Sequence, residues 1–234
     1  MRIAAIGDLH YTIESRGLAG KLLSDVEAHA DVLVMAGDLT NIGLVEEMEV
    51  MLEDLKAISL PKIAVVGNHD HEHDNAGTLV AMMEQQDICV LDCTSCEING
   101  VGFVGTKGFC GGFGVRRVDV FGERSLKSFV QTSIDEAARF DQALQELRTD
   151  RKVAILHYSP VRDTLEGESP ELFPFLGTSR HSDVLDQHGV AMAFHGHAHH
   201  GSPRGMTPGG IPVFNVARFV LSRHTTKAYA VHEI

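Results

Sequence analysis

Short apolar runs of strand length recur along this chain, and a polar cluster follows each of them within a few residues. The runs cover Arg2–Ile6, Asp31–Met35, Lys62–Val66, Lys152–Leu156 and Val190–Phe194. They are nearly continuous in small and branched apolar residues, which is typical of strands that are covered on both faces. This pattern constrains the fold more than any other feature, because strands of this kind need packed layers on either side.

Helical patterns separate the early runs. Leu18–His29 carries apolar residues at helical spacing, and Gly43–Ala57 is rich in helix-forming residues. The order strand, helix, strand, helix, strand predicts right-handed crossovers and a largely parallel sheet. We therefore expect an α/β protein.

From Ile88 onwards the strand-like runs follow one another at shorter intervals, without helical segments between them. Strands are expected over Ile88–Leu91, Cys96–Ile98 and Val101–Val104, with Asn99-Gly100 as the turn of a hairpin. The following segments are predicted as a glycine-rich loop over a cleft (Gly105–Gly122), a long amphipathic helix (Ser128–Arg148) and two further strands (Ile211–Val216 and Ala228–Val231). Because no repeat, linker or break in composition interrupts the sequence, we expect a single domain over residues 1–234.

The net charge limits the kinds of binding partner that we expect, and the cysteine content bears on the cellular compartment. The 32 acidic residues outnumber the 20 basic ones, giving a net charge of −12, which argues against nucleic acid or an anionic membrane as the main partner. No apolar run approaches the roughly 20 residues of a membrane span, and no signal-peptide pattern is seen at the N-terminus. Four cysteines, including the pair Cys93 and Cys96, are expected to be reduced thiols of a cytoplasmic protein. The oligomeric state stays open, a homo-oligomer included.

The residues that carry chemistry follow the strand-like runs. They are Asp8, His10, Asp38, Asn68, His69, Asp70, His157, His197 and His199. Ligands of α/β sheets bind beyond the carboxyl ends of the strands, so these distant segments are expected to converge at one edge. Asp8 and His10, like His197 and His199, are two residues apart, and on an extended chain such side chains share a face.

Seven of these side chains form a set that suits metal ions. Two carboxylates, one amide and four imidazoles, with no thiolate, favour manganese, iron, zinc or cobalt over calcium or a structural zinc. Seven ligands exceed the needs of one tetrahedral ion, and a shared carboxylate would let them hold two ions about 3.5–4 Å apart. Two divalent ions would outweigh the charges of Asp8 and Asp38, so a phosphate substrate is compatible with an acidic protein.

The ordered motifs Asp-x-His, Gly-Asp, Gly-Asn-His-Asp, a single histidine after a strand, and Gly-His-x-His extend over residues 7–199. Together they resemble the calcineurin-like metallophosphoesterase superfamily, and the Asp after Asn-His resembles its bacterial phosphodiesterase-like branch. The resemblance implies a two-sheet β-sandwich flanked by helices, with four layers in the order α-β-β-α. It also implies a ligand assignment: Asp8, His10 and His199 for one metal, Asn68, His157 and His197 for the other, and Asp38 as the bridge.

The resemblance further implies a mechanism. A hydroxide that bridges two transition-metal ions (Mn, Fe or Zn) would attack phosphorus in line, and His69, oriented by Asp70, would protonate the leaving oxygen. The expected substrate is a small phosphodiester, with a phosphomonoester as the alternative. A second alternative is a non-catalytic interaction module on the same fold, like the retromer subunit that resembles phosphoesterases. A dinuclear hydrolase of another bond, such as an amide, has little support.

Several other polar residues have two interpretations. His71 and His73 are expected on a solvated loop that leads into a helix. His195 and His200 flank predicted ligands, and they are expected either to support the ligands or contact the substrate, or to have a packing role. Four arginines are candidates for a phosphate clamp, although for each of them alone a solvated surface charge is favoured: Arg116, Arg117, Arg124 and Arg162.

Overall fold

Two β-sheets form the centre of the computed structural model, which describes residues 1–234. The strands are β1 (Arg2–Ile6), β2 (Val32–Ala36), β3 (Lys62–Val65), β4 (Ile88–Val90), β5 (Thr94–Ile98), β6 (Val101–Thr106), β7 (Arg151–Leu156), β8 (Met192–His195), β9 (Arg204–Met206), β10 (Pro212–Asn215) and β11 (Ala230–Glu233). The first sheet has the order β11-β1-β2-β3-β4, and the second has the order β5-β6-β7-β8-β10-β9.

Both sheets are parallel at their centres, and three of their four edge strands are antiparallel. In the first sheet β1 to β4 are parallel and β11 pairs with β1 in the opposite direction. In the second sheet β6, β7, β8 and β10 are parallel, while β5 and β9 are antiparallel edge strands. The predicted hairpin is confirmed: Ile98 pairs with Val101, and Asn99 and Gly100 have φ angles of 50° and 75°, as a two-residue turn requires.

Helices cover the outer faces of both sheets, and eight α-helices are present in all. They are α1 (Leu18–Leu22), α2 (Val26–His29), α3 (Val45–Leu55), α4 (Ala76–Glu84), α5 (Arg124–Glu146), α6 (Phe173–Leu176), α7 (Ser179–His188) and α8 (Arg218–His224). Helices α1 to α4 lie on the first sheet, and α5 and α7 lie on the second. The prediction of one helix over Leu18–His29 is wrong, because the chain turns at Asp25. The Asp25 carboxylate accepts hydrogen bonds from Tyr229 Oη at 2.6 Å and Lys227 Nζ at 2.8 Å, so a distant part of the chain breaks this helix.

Alternation along the strands divides the apolar residues into three cores. Ile3 and Ala5 of β1 lie between the two sheets, whereas Ala4 and Ile6 face helices α1 to α4. Between the sheets, Ile3 and Ala5 pack in one core with residues of the second sheet such as Phe103 of β6. The third core lies on the outer face of the second sheet, where Leu156 packs with residues of α5 and α7. The predicted four-layer α-β-β-α sandwich is therefore confirmed.

The polar loops follow strands that end at a shared edge. Backbone hydrogen bonds connect these loops: Gly196 N donates to His157 O at 3.1 Å, Val216 N to His195 O at 2.7 Å, and Gly7 N to Val216 O at 2.7 Å. This chain of bonds links the ends of β7, β8, β10 and β1, so it joins the second sheet to the first. None of the helices combines the length and apolarity needed to cross a membrane.

We expect Phe103→Ala to lower the free energy of unfolding by about 3–5 kcal/mol, because it leaves a cavity between the sheets. The Phe103 side chain is fully buried there. Chemical denaturation would measure the change, with Val115→Ala as the control, since Val115 is 99% exposed. An equal effect of the two substitutions would contradict this assignment of the core.

Candidate metal centre

The loops after five strands bring the predicted ligands together at one edge of the sandwich. Asp8 and His10 follow β1, Asp38 follows β2, and Asn68 follows β3. The remaining three come from the second sheet: His157 follows β7, and His197 and His199 follow β8. Their potential ligand atoms form two groups that share Asp38.

The first group contains Asp8, His10, Asp38 and His199, whose ligand atoms all lie within 4.8 Å of one another. His199 Nε2 lies 2.9 Å from Asp8 Oδ1 and 3.4 Å from His10 Nε2. His10 Nε2 is 3.8 Å from Asp38 Oδ2. Two carboxylates and two imidazoles facing one point are a suitable donor set for a transition-metal ion.

The second group contains Asp38, His157 and His197, with Asn68 beside them. His157 Nε2 lies 3.2 Å from Asp38 Oδ1 and 3.0 Å from Asn68 Oδ1. The two oxygens of Asp38 thus face different groups. This arrangement fits a pair of ions that share one carboxylate.

The backbone of four of these residues is left-handed, which the sequence did not predict. Asp8, His10, Asp38 and His197 have φ angles of 57°, 45°, 48° and 67°. The expectation that extended chain places each pair of side chains on one face is therefore wrong. Left-handed turns bring Asp8 and His10 together, and they send His197 and His199 to different groups.

Two glycines leave room for the ligands. Gly37 has a φ of 80°, and a Cβ there would lie 2.5 Å from His157 Nδ1. A Cβ on Gly67 would collide with the carboxylate and the backbone nitrogen of Asp38. Any larger residue at either position would displace a member of the shared centre.

His157 is held in one ring orientation and pairs with Asp38. Its Nδ1 donates to Ala36 O at 3.0 Å, which leaves Nε2 facing the ligand groups. Burial opposes a charge on this imidazole, but the neighbouring Asp38 outweighs burial and raises the pKa of His157 to about 9. In turn, burial would raise the pKa of Asp38, and His157 holds it well below its ordinary value.

Two other histidines are neutral at physiological pH. Burial lowers the pKa of His10 to about 4, even though Asp38 and Asp8 favour its charged form. Burial and the charge of His157 lower the pKa of His197 to about 3. A neutral imidazole offers its lone pair to a metal without first losing a proton.

His69 lies at the open side of the centre. Its Nδ1 donates to Asn41 O at 2.5 Å, and its backbone nitrogen donates to Asp38 Oδ1 at 2.9 Å. Its Nε2 lies 3.9 Å from Asp38 Oδ2, and the side chain is 31% exposed. The ring therefore lies beside the ligand groups and is partly open to solvent.

Asp70 does not make the predicted contact with the His69 ring, since Asn41 takes that place. The fully buried Asp70 carboxylate instead accepts hydrogen bonds from Gly67 N, Leu39 N and Thr40 N, at 2.8, 3.2 and 2.8 Å. It also accepts one from Thr40 Oγ1 at 2.6 Å. Asp70 thus fastens the loop after β3 to the loop after β2.

The remaining histidines lie outside both ligand groups. His195 is buried, with Nε2 2.8 Å from Thr164 Oγ1 and Nδ1 2.7 Å from Gly196 O, so it supports the loop that carries the ligands. His73 Nδ1 donates to Ile42 O at 2.6 Å, His71 belongs to the same loop, and His200 is exposed. The four cysteines are free thiols, as expected.

The structure places none of the four candidate arginines in contact with the ligand groups through a hydrogen bond or an ion pair. Arg116, Arg117 and Arg162 line a separate surface cavity of about 990 Å³ that contains none of the seven predicted ligands. Arg117 also pairs with Asp183. Arg124 is exposed at the start of α5.

Three residues that the sequence did not single out border the ligands. The Tyr158 ring lies 4.3 Å from the His197 ring between centroids, and the Phe219 ring lies 4.6 Å from that of His199. Arg218 precedes Phe219 at the start of α8, a helix that was not predicted. For Arg218 and Phe219 the sequence offered one signal, which is the polar residue Asn215 at the end of an apolar run. The other ligand loops likewise carry a polar residue shortly after an apolar run.

Comparisons with known proteins agree with this geometry. The sequence model of the calcineurin-like phosphoesterase family matches residues 1–201. Among curated proteins, none has a sequence that matches this chain.

Solved structures share the fold at low sequence identity. One has a TM-score of 0.67 at 14% identity and covers 99% of this chain and 98% of its own. The phosphopantetheinyl hydrolase PptH from Mycobacterium tuberculosis has a TM-score of 0.66 at 15% identity, covering 98% and 95%. A putative 5′-nucleotidase from Staphylococcus aureus, in complex with alpha-ketoglutarate, has a TM-score of 0.51 at 12% identity, and the match covers 92% of this chain and 48% of that one.

We expect metal binding near pH 7.5 to release about one proton, because a metal needs the Nε2 lone pair that the proton on His157 occupies. Since the pKa of His157 is about 9, affinity should rise with pH until that value is passed. Calorimetric titration with Mn²⁺ in buffers of different ionisation enthalpy would measure the proton release. His73→Ala, outside the ligand groups, should behave like wild type, and enthalpies that do not depend on the buffer would contradict the assignment.

Proposed function

This chain belongs to the calcineurin-like phosphoesterase family, and we propose that it hydrolyses a small phosphate ester at a pair of transition-metal ions. The observation that carries the proposal is Asp38, whose two carboxylate oxygens face two separate groups of ligands. We assign Asp8, His10 and His199 to one ion, and Asn68, His157 and His197 to the other. Asp38 serves both, and manganese, iron and zinc suit these ligands.

Bound divalent ions supply two effects at such a site, since they acidify water and neutralise phosphoryl oxygens. The protein's own residues hold the ions and limit the charge of the site. Asp8 and Asp38 are the only carboxylates in the two ligand groups, and the remaining ligands are neutral when a metal is bound. The occupied centre would therefore be positive, as an anionic ester requires.

His69 is assigned as the general acid. Its Nδ1 hydrogen is committed to Asn41 O, so Nε2 is the nitrogen that exchanges a proton with a bound substrate. The partial exposure of the ring places this nitrogen between the ligands and solvent. A protonated Nε2 can give its proton to the leaving oxygen, which is negatively charged as the bond to phosphorus breaks.

Asp70 is assigned a positioning role. Its four hydrogen bonds fix the loops that carry Asp38 and His69, so the distance between these two residues depends on it. Burial and the charge of Asp38 raise the pKa of Asp70, while the donors of Gly67 and Thr40 act in the opposite direction. It touches neither the ligand groups nor the ring of His69.

A diester is the preferred substrate class, and this preference rests on the Asp after Asn-His, Asp70. A panel of bis-p-nitrophenyl phosphate, p-nitrophenyl phosphate and cyclic nucleotides with Mn²⁺ would separate diesters from monoesters. A nucleoside 5′-monophosphate and a phosphopantetheinyl ester complete the panel, because two proteins of the same fold carry these names. No turnover of any ester by protein that holds its metals would refute the proposal.

We expect His69→Ala to lower kcat by about 10²–10⁴-fold, the usual contribution of a general acid, while metal content stays at the wild-type level. The loss should be smaller for p-nitrophenyl esters, whose leaving group needs little protonation. Metal analysis and steady-state kinetics would test both points. His73→Ala is the matched control, since His73 follows His69 in the same segment, lies outside both ligand groups, and has a side-chain hydrogen bond to the backbone oxygen of Ile42.

Two outcomes would contradict this assignment. A His69→Ala enzyme with unchanged kcat on esters of poor leaving groups would exclude His69 as the acid. If a cell that depends on this protein kept its full biological activity with a hydrolytically dead His69→Ala variant, the protein would act as a scaffold instead.

A further inference from the structure

Helix α8 is fixed to the strand that leads into the centre. Arg218 N donates to Gly7 O at 3.0 Å, and Gly7 N donates to Val216 O at 2.7 Å. Gly7 directly precedes Asp8, so the first turn of α8 and the first ligand are connected through two backbone hydrogen bonds. Side chains at the start of α8 consequently have a defined place beside the centre.

Phe219 and Arg218 occupy this place. The Phe219 ring lies 4.6 Å from the His199 ring and 5.9 Å from the His10 ring between centroids. The guanidinium carbon of Arg218 lies 4.6 Å from the centroid of the same phenylalanine ring. Phe219 thus connects the arginine to two of the proposed ligands, and stacking holds the guanidinium without using its hydrogen-bond donors.

Arg218 differs from the other half-buried arginines in having no hydrogen-bond partner. Arg117 pairs with Asp183, and Arg180 Nη2 donates to Val118 O at 2.9 Å. The Arg218 side chain donates to no atom of the protein, and its Nε is buried without a partner. A guanidinium has five N–H donors and keeps its charge in proteins, so leaving them unpaired at a partly buried position is costly.

The surroundings of Arg218 also favour an anion as its partner. Asp8 is the carboxylate whose charge acts on it most strongly, yet no ion pair forms between them. When metals bind Asp8, its charge is compensated, and Arg218 is left as a cation beside a positive centre. A planar guanidinium suits two oxygens of a phosphate group, which it can bind with paired hydrogen bonds.

We propose that Arg218, held by Phe219, is a substrate-binding residue that takes phosphate oxygens at the His10–His199 side of the centre. This proposal rests on the proposed function, because it places the substrate at that centre. The oxygens belong either to the phosphoryl group that is hydrolysed or to a second phosphate of the same substrate. Both sources present the same chemistry to Arg218.

The test is equilibrium binding of inorganic phosphate and of pyrophosphate to the Mn²⁺-loaded protein, measured by calorimetry for wild type, Arg218→Met and Arg218→Lys. We expect Arg218→Met to weaken binding by roughly ten- to hundredfold, the effect of losing charge-assisted hydrogen bonds. The affinity of Arg218→Lys should be intermediate, because lysine keeps the positive charge but lacks the planar guanidinium that binds two oxygens at once. Arg204→Met is the matched control, because Arg204 also stacks on a phenylalanine, Phe214, but lies on β9 outside the ligand groups.

The comparison of phosphate with pyrophosphate shows which phosphate group of the substrate Arg218 binds. Weaker binding of both would place Arg218 on the phosphate at the metals, whereas weaker binding of pyrophosphate alone would place it on a second phosphate. Unchanged affinity for both anions, or no binding of either by wild type, would overturn the proposal. So would a parallel fall in Mn²⁺ affinity or melting temperature, which would make Arg218 a structural residue.

Failure of this proposal can be told apart from failure of the proposed function. Wild-type hydrolysis of esters, with unchanged anion affinity in Arg218→Met, would refute the role of Arg218 alone. Absence of hydrolysis by wild type would refute the proposed function, while the binding measurement would still decide whether Arg218 receives an anion.

Discussion

Hydrogen bonds that cross from one sheet to the other determine the geometry of this protein's centre. His157, from the second sheet, donates its Nδ1 hydrogen to Ala36 O of the first sheet at 3.0 Å. His197 N, also from the second sheet, donates to the Asp8 carboxylate at 2.9 Å. Each bond fixes the position of a proposed ligand against the opposite sheet. The apolar core between the sheets sets their relative position, so packing and site geometry depend on each other.

The same loops hold strained backbone. Four of the seven proposed ligands are non-glycine residues with positive φ, a conformation that costs on the order of 1–2 kcal/mol for each residue. Such strain persists only where the surroundings over-determine it. Here Asp8 N donates to Gly37 O and His10 N donates to Asp38 O, both at 2.9 Å, so neighbouring strand exits hold each other in place. The strained backbone therefore lowers the stability of the fold at the edge that carries the proposed metal ligands.

Electrostatics at this edge differ from those of the whole chain. The net charge is −12, yet burial keeps His10 and His197 neutral, and pairing with Asp38 keeps His157 charged until a metal replaces its proton. Metal binding would therefore exchange a buried ion pair for a positively charged centre. Such a centre would attract an anion that the remainder of the surface repels, and this contrast supports the proposal of a small phosphate ester as substrate.

The apolar runs of the sequence determined that the strands are covered on both faces, and the glycine-bounded polar clusters marked where each strand ends. The two-sheet, four-layer arrangement was implied only by the resemblance that the ordered motifs carry. The sequence also identified the predicted ligands whose side chains converge at the shared edge of the two sheets. Tertiary structure alone decided the left-handed turns and the partner of His69, which is Asn41 rather than Asp70. It alone revealed Arg218, because an arginine without a partner is recognised only when its neighbours in space are known. Spacing along the chain fixes which residues leave the strands, whereas contacts between distant loops decide where their side chains lie.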